Sequence, residues 1–359
     1  MQILFKTTYD DDIRFLAKTG EKIRVGLLIG LLLVAPWLLP NPYYLAELGL
    51  LLVYAIAGVG LMILTGHTGQ VSFGHAAFLG IGAYTHSILM SQGVPFSVSV
   101  VLTMIFSGLI GMALGRSASK MHGFYLAIAT LAFLILVETL LGEWKSMTGG
   151  YTGFIVPGMK IFGVPLAQAW QQYYVDLVFA LLVIWGASNL FRSPTGRSFL
   201  AVRDSELSAR SLGVNVEWVK IQAFGISAAI TGLAGVLFAH HLTYLAPDVF
   251  DVLLSLKLLL MIVVGGLGSI LGAVFGAIFI SLLPVALSFL KDVLPPEIGQ
   301  QAGLEPLLFG LIIVLFILFE PAGIYGRWMK LRFFFETFPY YRKASFVRQK
   351  SYLKTERMR

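Results

Sequence analysis

Apolar runs of about 20 residues, the length a helix needs to cross a bilayer, recur along this chain and are separated by short charged or Gly/Pro-rich breaks. A chain written this way has one stable solution in lipid, helices that satisfy their own backbone hydrogen bonds. The breaks predict an all-α polytopic membrane protein with about ten transmembrane helices. They lie near residues 25–43, 44–65, 71–91, 95–115, 122–142, 173–191, 219–242, 252–265, 269–290 and 304–324. The eighth is short, which predicts a tilted or interrupted helix, or one extended outward through Val249 and Phe250.

Composition excludes soluble enzymes and nucleic-acid binders. Of the 359 residues, 57% are hydrophobic and 13% charged, about half the charged share of an ordinary soluble chain. The net charge of +7 matters through its placement. With ten spans and a cytoplasmic N-terminus, inside segments hold 22 of the 26 Lys and Arg, including ten after residue 326, and outside loops hold Lys145, Lys160 and Lys291. That asymmetry places both termini in the cytoplasm. There is no cysteine, which removes disulfides, thiolate nucleophiles and Cys-based metal sites.

Three regions follow: a cytoplasmic segment 1–24, a membrane domain 25–325 with a cytoplasmic loop at 192–219, and a basic tail 326–359. Lys18, Lys22 and Arg24 precede the first apolar run as in a signal peptide. The run ends in Pro36, Pro40 and Pro42, not in a small-residue cleavage site, and reads as an uncleaved anchor. The tail, rich in Lys, Arg, Phe and Tyr, suits contact with anionic lipid or a partly disordered end.

The join between the second and third spans, Thr65 to Tyr84, is dense in glycine and polar side chains. Broken backbone at membrane depth survives only where protein or a water-filled cavity covers it. Transporters place such breaks near substrate. Gly69, Gln70, Ser72, Gly74 and His75 are therefore candidates for a translocation path; the competing reading is close packing through Ala76 and Gly80. A second glycine cluster, Val264 to Gly272, joins the eighth and ninth spans. Glu138 and Lys257 are the deepest ionisable groups, each either facing a conduit or snorkelling to an interface, and Glu138 joins the path candidates. Asp176 and Glu320 lie near span ends, within reach of water, and His240 and His241 close the seventh span at the outer interface.

The 192–219 loop reads as a short surface helix begun by Asp204 or Ser205 and ended by Gly213. Glu206 lies three residues after Arg203 and four before Arg210, which puts the three near one face. Such a helix is either a solvated connector or a rigid knob for a cytoplasmic partner. The outer loop opened by Trp144 holds Thr148, Gly149, Gly150 and Gly153, candidates for contact with an external protein. No G-x-x-x-x-G-K-[ST] phosphate loop, H-E-x-x-H metal motif or embedded acidic relay occurs. A many-span chain with a cytoplasmic knob and no engine fits one whose engine is a separate subunit.

These motifs carry a resemblance. The TGxTGQxSxGHAAFxGxGAY run at 65–84, Gly123 to Leu131, Thr148-Gly149-Gly150 with Gly153, Gly196-Arg197 leading to Ala201-Val202-Arg203-Asp204 and Leu212-Gly213, and Met261 to Ser269 occur in one order over roughly residues 45–325. Together they closely resemble the M-type permease subunit of bacterial branched-chain amino-acid ABC importers. The resemblance implies an inner-membrane permease of leucine-like amino acids, half of a translocation pathway. Its implied partners are a homologous second permease, two ABC ATPase subunits and a periplasmic substrate-binding protein. It implies no catalytic residue and no cofactor on this chain, with ATP and Mg on the ATPases. Arg203, Glu206, Arg210 and Gly213 would form the ATPase-coupling element. The family pattern usually has a glutamate where this chain has Lys257. Relatives serving urea or short amides, and secondary ion-coupled transport, are the alternatives.

Overall fold

The computed structural model describes residues 19–39, 41–121, 123–161, 163–166, 168–293, 304–320 and 322–337. The first 18 residues, the 294–303 connection and most of the basic tail lie outside them. The helices are α1 (Thr19–Leu38), α2 (Pro42–Leu61), α3 (His75–Ser91), α4 (Phe96–Ala118), α5 (Phe124–Glu143), the single turn α6 (Lys145–Thr148), α7 (Ala169–Arg192), α8 (Pro194–Asp204), α9 (Glu206–Ser211), α10 (Val216–Leu242), α11 (Val252–Gly265), α12 (Ile270–Val293), α13 (Leu304–Phe319) and α14 (Gly323–Thr337). Among the described residues six stretches are long and apolar enough to cross a membrane: Pro42–His67, Phe96–Ala118, Phe124–Glu143, Ala169–Arg192, Val216–Leu242 and Ile270–Leu287. The strands are two-residue pieces: β1 (Phe154–Ile155), β2 (Lys160–Ile161), β3 (Val164–Pro165) and β4 (Tyr244–Leu245). β1 pairs antiparallel with β4, and β2 with β3.

Small residues decide the packing, because helices in lipid gain most from close backbone approach. On α4, Ser99, Thr103, Ser107, Gly111 and Gly115 recur every fourth residue and are all buried. That stripe lies on α10, where Gly232 meets Ser107 and Gly111 meets Phe224 and Ala228. The opposite face of α4 exposes Val98, Val101, Leu102, Ile105, Phe106 and Leu109, as a lipid-facing surface should. α10 also packs on α3, where Gly82 meets the Gly232 backbone and Gly235 meets that of Leu79. α2, the most deeply enclosed of the six spans, lies beside α10, α7 and α12.

α1 is held on the outside of this core through a defect in its own ladder. Pro36 lacks the N–H that the Leu32 carbonyl would accept. The Tyr173 hydroxyl on α7 donates to that carbonyl at 2.8 Å, and the Tyr174 hydroxyl donates to Leu33 at 3.0 Å.

Three expectations are corrected. α11 does not extend through Val249 and Phe250: a 3-10 turn covers Pro247–Phe250, and the Asp251 carboxylate starts the helix by accepting from Leu254 N at 2.8 Å. Asp176 does not reach water; its side chain is fully buried, and the carboxylate lies 2.8 Å from His241 Nε2. Nor do the histidines simply end a helix. His240 is buried with its Nε2 3.0 Å from His86 Nε2, and His86 Nδ1 meets Ser99 Oγ at 2.7 Å.

Candidate functional site

The α8–α9 end of the molecule gathers both glycine-rich junctions. α2 widens into a π-helical turn at Met62–His67, and the chain stays non-helical until His75. Thr68 Oγ1 donates to the Leu64 carbonyl, Gln70 N to the same oxygen at 3.2 Å, and Thr65 Oγ1 to the Gln70 carbonyl at 3.1 Å. Gly69 has φ +72°, the left-handed conformation that a glycine adopts without strain. The break is therefore built by local hydrogen bonds that replace the lost helical ones.

Of the path candidates, Gln70, Ser72, Gly74 and His75 are buried, Gly69 is exposed, and Glu138 is partly exposed. His75 Nδ1 lies 3.0 Å from Ser72 Oγ, and its Nε2 lies 2.8 Å from Ser227 Oγ on α10. Ser227 in turn donates to the Gly60 carbonyl on α2 at 2.6 Å. Phe73 N donates to Thr130 Oγ1 on α5 at 3.0 Å, and Ala76 N donates to Ser255 Oγ on α11 at 3.0 Å. The junction thus fixes the mutual positions of α2, α3, α5, α10 and α11. Gln70 Nε2 donates to Thr68 Oγ1 at 3.3 Å, while its Oε1 is buried without a hydrogen-bond partner. Glu138 stands apart from these residues, on the α5 face that meets the Pro247–Phe250 turn, within electrostatic reach of Asp248 and Asp251.

Arg203 joins the two junctions. Its Nη1 donates to the Gly66 carbonyl at 2.9 Å, and its Nη2 pairs with Asp204 at 3.2 Å. A Cβ on Gly268, in the second junction, would lie 3.4 Å from the same Nη1, and one on Gly69 would lie 3.1 Å from Arg203 Cγ. Gly268 N approaches Met62 Sδ at 3.0 Å, so the two breaks also touch directly. Phe191, at the end of α7, stacks on His67 with ring centroids 3.5 Å apart.

The surface helix expected to begin at Asp204 or Ser205 and end at Gly213 is α9, but Arg203, expected near one face with Glu206 and Arg210, lies outside it in a separate helix. Ser205 breaks the run and caps α9, accepting from Ser208 N at 3.2 Å, because its extended backbone cannot continue α8. Arg203 belongs to α8, and Glu206 and Arg210 to α9. Glu206 faces inward, with Oε1 2.7 Å from Lys220 Nζ on α10. Lys220 also donates to the Ser119 carbonyl just beyond α4 at 3.3 Å. α9 ends at Gly213, φ +84°, while Leu207 and Leu212 are left exposed.

At the opposite end, Thr148, Gly149, Gly150 and Gly153 shape a turn more than they present a surface. Thr148 is buried; its Oγ1 donates to the Leu141 carbonyl at 2.7 Å and accepts from Gly150 N at 3.2 Å. The side chains this loop turns outward are those of Trp144, Met147, Tyr151 and Ile155. Tyr244 OH donates to the Thr152 carbonyl, which with the β1–β4 pair ties the loop to the end of α10. Beneath it lies a cavity of about 180 Å³ lined by Val156, Met159, Leu166, Gln172, His240 and Thr243.

Residues 43–318 match the model of the family described as the branched-chain amino acid transport system / permease component. The chain belongs to that family. Two relatives called the high-affinity branched-chain amino acid transport system permease protein LivM are each 30% identical to this permease. The Salmonella typhimurium protein aligns over 76% of this chain and 68% of its own, and the Escherichia coli protein over 77% and 68%. The autoinducer 2 import system permease protein LsrC of Escherichia coli O9:H4 is 27% identical over 76% of this chain and 81% of its own. The chain is thus a multi-pass membrane permease component. What sequence reasoning missed in this permease is Lys220, Ser227, Thr130 and Ser255, the partners that fix α9 and the 65–75 junction. Lys220 reads in sequence as one more loop lysine. A signal present in the sequence but unread is the stripe of small residues at every fourth position of α4, which marks its packing face.

Proposed function

We propose that this permease is the membrane subunit of an ATP-driven importer of leucine-like amino acids in a bacterial inner membrane. It spans the bilayer about ten times with both termini in the cytoplasm and supplies half of the pathway; a homologous permease supplies the other half. Two ABC ATPase subunits hold ATP and Mg, and a periplasmic binding protein delivers solute to the loop end. The chain itself carries no catalytic residue and no cofactor.

The observation that carries this reading is the pair of anchors on α8 and α9. Arg203 holds the Gly66 carbonyl and Glu206 holds Lys220, so a push on the α8–α9 knob reaches the broken backbone inside the membrane. In this reading Arg203, Glu206, Arg210 and Gly213 form the ATPase-coupling element. Gly69, Gln70, Ser72, Gly74 and His75 set the gate at the inner end of the route, and Glu138 lies along its outer half. The turn at Thr148, Gly149, Gly150 and Gly153 shapes the surface met by the binding protein. The likeness to LivM supports the solute class; the likeness to LsrC makes it the part to test first.

The test is uptake of labelled leucine into proteoliposomes holding the full complex. Uptake should stop when the partner ATPase is disabled at intact membrane potential and should survive an ionophore. Loss with the ionophore alone would make this an ion-coupled carrier. ATP-driven uptake of a different solute, with leucine ignored, would keep the mechanism and change the cargo.

A further inference from the structure

We propose that the ammonium of Lys257 binds the carboxylate of the transported solute midway through the membrane, which makes it a specificity-determining residue for carboxylate-bearing substrates. The proposal rests on the importer reading above.

Depth is fixed by the neighbour of Lys257 and not by its own helix. Its Nζ lies 4.7 Å from the centroid of the Tyr54 ring. Tyr54 comes twelve residues after Pro42 and thirteen before His67, at the middle of a 26-residue span. The charge therefore sits near the bilayer mid-plane, where a lone ammonium does not face lipid. A tyrosine face attracts a cation without neutralising it, and among the described residues no carboxylate lies within 4.0 Å of this one. Glu47, seven residues earlier on α2, contributes its field at longer range.

The face of α11 that carries Lys257 is open on one side: Lys257 is itself half-buried, and Leu254 and Met261 beside it are buried. Leu253, one turn before it on the same side, is 72% exposed. An open face at mid-depth with a charge on it borders either a water-filled route or another polypeptide. An anion is what completes the site. Leu253, one turn from the ammonium, gives apolar surface for an aliphatic chain, so a branched-chain amino acid offers the matching pair of groups: a carboxylate for the cation and a hydrocarbon for its neighbour.

The experiment uses the complete complex with labelled leucine as probe. Lys257→Met should lower ATP-driven uptake by about tenfold or more, with binding-protein-stimulated ATPase activity retained. Lys257→Arg should keep most of the uptake. The melting temperature of the Met variant should stay level or rise, since an uncompensated charge has been removed from the interior. Unchanged uptake in Lys257→Met overturns the proposal. So does a lowered melting temperature with loss of the second permease from the complex, which would make Lys257 an interface ion-pair partner. Wild-type complex that hydrolyses ATP yet moves no leucine points instead to a failure of the assigned cargo, and takes this proposal with it.

Discussion

Lys220 is 2% exposed, and its Nζ lies 2.7 Å from Oε1 of Glu206, a carboxylate that keeps 32% of its side-chain surface open. The pair joins the helix α9, read here as the coupling element, to the central helix α10, and it is unequal: one partner can reach water and the other cannot.

The inequality predicts different costs for the two halves. Glu206→Ala strands a buried ammonium and should destabilise the protein by about 3 kcal/mol. Lys220→Met leaves a carboxylate that can hydrate, and should cost about 1 kcal/mol. Thermal unfolding in detergent measures both; equal losses would mean that Lys220 does not depend on Glu206.

Coupling should fail before folding does when α9 is stripped of its charges. The double variant Glu206→Ala/Arg210→Ala should insert and bind its ATPase yet lose the link between hydrolysis and uptake. Wild-type uptake in that variant removes α9 from the coupling role.

Arg203 is expected to matter through its hydrogen bond to Gly66 as well as its charge. Arg203→Ala gives up a charged hydrogen bond of about 1.5–3 kcal/mol and should slow transport more than it lowers stability. Arg203→Lys, which cannot reach the Gly66 carbonyl and Asp204 with one planar fork, should recover only part. Full transport with lysine would show that the fork geometry is dispensable.

Glycines divide sharply by what surrounds them. A Cβ on Gly82 would strike the Gly232 backbone, whereas nothing lies within 4 Å of one on Gly186. Gly82→Val should lower stability by about 3 kcal/mol through overpacking of α3 on α10; Gly186→Ala should be neutral or stabilise by up to about 1 kcal/mol. A Cβ on Gly74 would lie 2.6 Å from the Thr130 carbonyl, and one on Gly69 would meet Arg203 in a left-handed conformation. Leucine at both positions should therefore abolish transport, and unchanged uptake would take the junction out of the pathway.

The buried Asp176–His241 pair lends itself to a double-mutant cycle. Asp176→Leu alone should cost about 3–5 kcal/mol. Adding His241→Leu should restore a part of that, since both polar partners are then removed together. Strict additivity would show that the two side chains do not interact.

Much of this architecture is written locally. Apolar run length marks the helices, and nine of the ten expected spans begin within about four residues of an observed helix; the first is shifted, because α1 starts at Thr19 and ends at Leu38. Glycine and polar density marks both junctions, Gly213 marks the end of α9, and the ordered motifs mark the family. Each of these depends on residues close together in the chain. Which polar groups meet does not: His75 and Ser227 are 152 residues apart, Arg203 and Gly66 137, and Asp176 and His241 65. Sequence alone left Asp176 in water and Lys220 in a loop. A run of apolar residues fixes that a helix forms in lipid, but it leaves the helix free to rotate about its axis. That rotation is set by close backbone approach at residues such as Gly82, Gly111 and Gly232, and only once it is set does each buried donor face its acceptor.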